Sequence, residues 1–112
     1  DLNKKYFKDS VILDPEIRYE WMRISHFYRP FYVYKYATGL ICAICIVKDI
    51  LDHKEGFVEK YLNFLKSGCN KEVLEILKGV DIDLTTRAPF EKAFTFVQEL
   101  LSELKEIVQE GE

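Results

Sequence analysis

Residues 31–52 read FYVYKYATGLICAICIVKDILD, and this stretch decides the fold. Pro30 permits a new helix to start, and helical spacing then continues from Phe31 to about Asp52. Gly39 interrupts this pattern at a cost of about 1 kcal/mol relative to alanine, and a glycine kept there usually permits close backbone approach. Between 37 and 47 the helix is apolar on nearly all sides, so other elements must surround it. The rest of the chain can cover only part of it.

The remaining sequence also predicts helices. Asp14 caps a short helix that begins at Pro15 and ends near Arg23, and residues 24–29 form a connecting bend. Three later segments have helical periodicity: 56–67 with Gly68 as its stop, 73–79 with Asn70 as its cap, and a final helix that starts at Pro89 after a loop over 80–89. The predicted fold is all-α, in a single domain over residues 1–112. Because residues 2–7 resemble the end of a helix already under way, the chain is predicted to be a fragment.

Composition excludes several classes of protein. The 112 residues are 48% apolar and 31% charged, which is an ordinary globular balance. A formal charge of −3 argues against a nucleic-acid partner. The best candidate for a membrane span, residues 37–47, is nearly continuously apolar but is too short for a span of about 20 residues. Three cysteines without a disulfide spacing, and no signal peptide at the N-terminus, predict a cytoplasmic protein.

The sequence contains no complete catalytic set. His26 and His53 are its two histidines, and neither belongs to the His-Glu-x-x-His pattern of a zinc protease helix. Cys42 and Cys45 form a C-x-x-C pair inside an apolar helix, without a second pair to complete a zinc site, and are predicted to be small buried side chains. This chain is therefore predicted to bind no metal.

The aromatic segment 26–39, HFYRPFYVYKYATG, is the best candidate for contact with a substrate. His26 and Tyr28 lie at the predicted bend. On the following helix, Tyr32 and Tyr36 are predicted to share one face, with Phe31 and Tyr34 on a neighbouring face. Imidazole and phenol groups can donate to a peptide carbonyl or to the oxyanion formed when it is attacked, a role worth about 3 to 4 kcal/mol per donor. The alternative is an aromatic core whose hydroxyls reach solvent.

Six stretches carry a family resemblance, almost collinear from about Asp14 to the last helix. They are YEW at 19–21, RI at 23–24, HFY at 26–28, FYVYKYATG at 31–39, VEKYL at 58–62 and FLKSG at 64–68. In these stretches the chain resembles the oligoendopeptidase F group of thimet-type zinc metallopeptidases. Ser25 departs from the proline that similar sequences often carry, and the two thiols at 42 and 45 replace small residues.

The resemblance implies the helical C-terminal portion of an enzyme that cleaves short peptides with one zinc ion. The two histidines and the glutamate that hold this zinc, and the general base, would lie upstream in the same polypeptide. On matching positions, His26 and Tyr34 would contact the substrate backbone and stabilise the tetrahedral intermediate. Tyr28, Tyr32 and Phe31 would complete the substrate-binding wall. This chain alone would be inactive.

A second interpretation stays open at the level of the sequence. The aromatic cluster could belong to a free-standing helical module that binds a peptide or a partner helix without catalysis. In either case the isolated chain would expose apolar surface and is expected to self-associate.

Overall fold

The computed structural model describes residues 2–110, and every regular element in this range is helical. The all-α prediction is confirmed. The elements are α1 (Leu2–Phe7), a 3₁₀ helix (Pro15–Arg23), a second 3₁₀ helix (Ser25–Tyr28), α2 (Tyr34–Leu51), α3 (Phe57–Ser67), α4 (Val73–Lys78) and α5 (Ala88–Glu110). The chain divides into two compact units between Lys35 and Tyr36. That residues 1–112 form one domain stays a prediction.

The N-terminal unit is built from short helical turns. Asp14 caps the first 3₁₀ helix as predicted, since its carboxylate accepts the N–H of Glu16 at 2.8 Å and Pro15 follows. Ile24 has an extended backbone and separates this helix from the second one. No residue in the described range 2–35 is buried, so an apolar core within this unit does not hold these turns in place.

Helix α2 begins later than the sequence predicts. Phe31 has a φ of 56°, in the left-handed region that a bulky side chain rarely occupies, and this turn of the backbone delays regular helix until Tyr34. Tyr32 therefore precedes the helix, and its carbonyl accepts the N–H of Lys35 at 3.2 Å. The predicted pairing of Tyr32 with Tyr36, and of Phe31 with Tyr34, on faces of one helix is wrong.

The core of the C-terminal unit forms where α2 meets the later elements. Phe57 at the start of α3 is 1% exposed, and Val80 is fully buried. Val80 and Ile82 belong to the segment predicted as a loop, and no sequence periodicity assigns them to the core. The buried residues of this core cluster are Ile41, Cys45, Ile46, Phe57, Leu77, Val80, Ile82 and Ala93.

Of the three residues predicted to mark the ends of α3, α4 and α5, two do so in the structure. Gly68 ends α3 as predicted, with a φ of 58° and a ψ of −143° that only glycine adopts easily. The predicted cap of α4 at Asn70 is wrong, because the N-cap residue is Glu72 and α4 starts at Val73. Proline at the second position of α5 agrees with the predicted restart at Pro89.

Two helices keep apolar faces that the described residues do not cover. On α2, Leu40 is 62% and Val47 is 47% exposed, so the prediction of incomplete cover is confirmed. A methyl group added at Gly39 would meet no atom within 4 Å, so the backbone approach expected at this glycine does not occur within the described residues. On α5, every side chain from 97 to 109 is exposed.

No helix within residues 2–110 is both long and apolar enough to cross a membrane.

Charged side chains connect the elements around the C-terminal core. Asp49 on α2 is only 7% exposed, and its carboxylate pairs with Lys92 of α5 and, at 3.4 Å, with Lys54. Lys54 also pairs with Asp81 at 3.0 Å, and Lys60 of α3 reaches the same carboxylate at 2.9 Å. Hydrogen bonds from Lys60 and Lys54 lower the pKa of Asp81.

Replacing Asp81 by asparagine should destabilise the protein at neutral pH by less than about 1 kcal/mol, because its partners are partly solvated. Asparagine tolerates the left-handed backbone of this position, where φ is 60°, so the change reports on charge. Since the pKa of Asp81 is lowered by folding, its contribution is complete above the unfolded pKa of about 4 and disappears as pH falls through the folded value. Melting temperatures of the two proteins should therefore converge in acid. A constant difference would contradict this.

Candidate functional site

The candidate site lies in the N-terminal unit, where two 3₁₀ helices follow each other. Tyr28 ends the second of them, and its hydroxyl donates to the carbonyl oxygen of Met22 in the first at 2.7 Å. The phenol ring also lies beside the indole of Trp21, with centroids 6.4 Å apart and planes tilted by 33°. These contacts hold the two turns together and set the position of the segment between them.

His26 lies inside this closed segment and contacts a second tyrosine. The imidazole and the Tyr32 ring have centroids 5.6 Å apart and planes tilted by 33°. The Arg29 guanidinium and the Lys35 ammonium each lie 5.7 Å from the centroid of the same phenol ring, within the range of cation–π attraction. The predicted residues His26 and Tyr32 are therefore brought together, and two cationic side chains lie near the Tyr32 ring.

The two remaining predicted residues flank the start of α2. Tyr34 is the first residue of that helix and is 56% exposed. Phe31 is 87% exposed on its left-handed backbone. Holding an aromatic residue in this conformation costs on the order of 1 to 3 kcal/mol, and such strain is concentrated at functional sites. Exposed rings and a strained connection are compatible with a surface that receives a ligand.

This arrangement supplies hydrogen-bond donors. An imidazole and phenol hydroxyls can donate to a peptide carbonyl or to the oxyanion that develops when this carbonyl is attacked. Sequence reasoning identified these groups but missed Met22, whose backbone oxygen fixes Tyr28, and Arg29, whose guanidinium lies near Tyr32. A backbone acceptor leaves no signal in the sequence, whereas an arginine within an aromatic segment could have been noticed.

The described residues do not form a zinc site. Between residues 2 and 110, no group of histidine, cysteine, aspartate or glutamate side chains is arranged to hold a metal ion. Cys45 is buried, and its thiol donates to the carbonyl oxygen of Pro89 at 3.2 Å. Cys42 is half-buried, and burial raises the pKa of both thiols, which disfavours the thiolate that binds metals. The predicted burial is complete for Cys45 and partial for Cys42.

Comparison with known proteins identifies the family. The family model described as Peptidase family M3 matches residues 1–96. The chain belongs to peptidase family M3. M3 peptidases are zinc metallopeptidases, so the family resemblance read from the sequence is confirmed.

Relatives within the M3 family match nearly the whole chain. Oligopeptidase PepF of Bacillus subtilis is 42% identical over 108 residues, which are 96% of this chain and 16% of the relative. An oligoendopeptidase F homolog of Borreliella burgdorferi is 43% identical over 97% of this chain and 18% of its own length. A crystal structure of a candidate peptidase from Chlamydophila abortus superposes with a TM-score of 0.74 at 42% identity, over 94% of this chain and 18% of that one.

This chain matches only a small part of each M3 relative. It spans less than a fifth of their length and corresponds to a C-terminal portion of them. The roles of His26, Tyr34, Tyr28, Tyr32 and Phe31 stay predictions.

Proposed function

We propose that this chain is the C-terminal segment of a zinc metalloendopeptidase that hydrolyses short oligopeptides. In this proposal the segment supplies contacts to the substrate and the transition state, while the zinc ligands and the general base lie upstream in the same polypeptide. The carrying observation is an identity of 42–43% over nearly the whole chain to oligopeptidases of which it spans only 16–18%. The complete enzyme acts in the cytoplasm.

The geometry of the N-terminal unit supports the proposal that this unit forms one wall of a substrate channel. His26 contacts the Tyr32 ring, and Tyr34 lies on the first turn of α2 with more than half of its surface exposed. We assign His26 and Tyr34 to the carbonyl oxygen of the scissile peptide, where negative charge develops during attack. Tyr28, Tyr32 and Phe31 present ring surface to the substrate chain.

The open apolar faces fit a segment that belongs to a larger enzyme. The exposed leucines of α2 and of the second half of α5 would be covered by the remainder of the polypeptide. Without that cover the isolated chain would associate through the same faces, because large contiguous apolar patches are rare on monomers.

Purified alone, the 112-residue chain should contain no stoichiometric zinc and should hydrolyse no peptide, because its described residues lack a cluster of metal ligands. Metal analysis by mass spectrometry and a fluorogenic oligopeptide assay measure the two properties. The complete peptidase, prepared in parallel, serves as the positive control. One tightly bound zinc ion per isolated chain would refute this proposal.

The coding sequence upstream of Asp1 distinguishes the proposal from a free-standing binding module. An open reading frame that contains His-Glu-x-x-His supports the peptidase, since this pattern places two zinc ligands and a general base on one helix face. A start codon directly before Asp1 supports the module instead.

A further inference from the structure

Tyr28 uses its hydroxyl within its own unit. The hydroxyl donates to the Met22 carbonyl oxygen at 2.7 Å, while 62% of the residue surface stays exposed. Its ring can therefore face a substrate while its polar atom is bound to the protein backbone. The contact with the Trp21 ring, at 6.4 Å between centroids, fixes the same side chain from a second direction.

The segment closed by this hydrogen bond contains His26. Its backbone is held by 3₁₀-type bonds, from the Phe27 N–H to the Ile24 carbonyl at 3.1 Å and from the Arg29 N–H to the His26 carbonyl at 3.3 Å. Such bonds have poorer geometry than those of an α-helix and persist only over short runs. No residue in the described range 2–35 is buried, so an apolar core within this unit does not hold the segment. The side-chain hydrogen bond from Tyr28 across the segment is therefore one of its restraints.

We propose that Tyr28 is a positioning residue, whose hydroxyl fixes His26 for contact with the transition state by binding the Met22 carbonyl oxygen. This inference rests on the role proposed above for His26. A donor to an oxyanion must be preorganised, and a displacement of about 1 Å can cost up to 100-fold in rate. A looser turn weakens a contact made in the transition state and leaves binding of the ground state nearly intact.

The first test is Tyr28→Phe in the complete peptidase. Phenylalanine keeps the ring beside Trp21 and removes only the donor. We expect kcat to fall about tenfold and KM to change less than about twofold, because only transition-state contact is lost. The melting temperature should move by less than about 2 °C, since one exposed hydrogen bond adds little stability. Tyr19→Phe is the matched control, a 51% exposed tyrosine of the preceding 3₁₀ helix, and should leave kcat unchanged.

The second test repeats the change in a His26→Ala background. If the Tyr28 hydroxyl acts through the imidazole, adding Tyr28→Phe should then lower kcat by less than about twofold, which is the signature of coupled residues. A tenfold loss that persists without the imidazole would show that the hydroxyl acts directly and would overturn the inference.

Three further outcomes also overturn it. They are an unchanged kcat for Tyr28→Phe, a rise in KM alone, and a fall in melting temperature of more than about 5 °C, which would assign the hydroxyl to fold stability. The single variant His26→Ala distinguishes an error in the positioning role of Tyr28 from an error in the proposed role of His26. If His26→Ala lowers kcat while Tyr28→Phe is neutral, only the positioning role is wrong; if His26→Ala has no effect, the role of His26 is wrong and the inference fails with it.

Discussion

Replacing Tyr34 by phenylalanine in the complete peptidase should lower kcat by about 100-fold and change KM by less than about threefold. Removal of one donor to an oxyanion typically costs about 100-fold to 1000-fold in kcat. The substrate carbonyl gains its negative charge only on attack, so the proposed contact with the Tyr34 hydroxyl would strengthen in the transition state and would barely affect binding before it. Initial rates with an internally quenched oligopeptide, over a range of concentrations, separate the two constants.

The control for Tyr34 is a tyrosine outside the aromatic segment. Tyr6 on α1 is 77% exposed, and Tyr6→Phe removes the same hydroxyl from a different element. It should leave both constants unchanged. If Tyr34→Phe raises KM at constant kcat, the hydroxyl contributes to binding of the ground state, and if neither constant changes, Tyr34 has no part in the reaction.

Replacing Phe57 by alanine should destabilise the C-terminal unit by about 3 to 5 kcal/mol, the usual cost of emptying a buried phenylalanine site. Phe57 is 1% exposed, begins α3 and belongs to the same core cluster as Val80 and Ala93. The Lys54 ammonium, 5.3 Å from the ring centroid, would also lose its cation–π contact. The midpoint of urea unfolding of the complete peptidase reports the change.

The adjacent residue provides the matched control for Phe57. Val58 is 54% exposed on the same turn of α3, so Val58→Ala should change stability by less than about 0.5 kcal/mol. Equal urea midpoints for the two variants would show that the Phe57 site does not organise the core.

Sequence predicted the helices whose ends carry local signals. Gly68 and Pro89 act through their own backbone preferences, so the end of α3 and the start of α5 follow from the residues present. The start of α2 could not be predicted in this way, because a phenylalanine gives no indication of a left-handed φ. Val80 and Ile82 escaped notice as core residues because a loop has no periodicity by which its apolar side chains can be assigned to one face.

The candidate site was predictable as a segment but not as a set of contacts. The density of tyrosines and the family resemblance both indicate residues 26–39, since chemistry-bearing side chains are visible in the sequence. The hydrogen bond from Tyr28 to the Met22 carbonyl depends on two consecutive 3₁₀ turns and on a backbone oxygen, which every residue possesses. Only the folded backbone identifies that partner.

The burial of side chains decreases along helix α5. Its first turns contain the buried residues Pro89 and Ala93, while every side chain from 97 to 109 is exposed. Tertiary packing supplies most of the stability of a helix, so the free energy of opening should fall along α5 from its first turns to its last. Amide hydrogens should therefore exchange with solvent deuterium progressively faster along one continuous helix. If exchange in the last turns of α5 is slower in the complete peptidase than in the isolated chain, the remaining polypeptide covers this end of the helix.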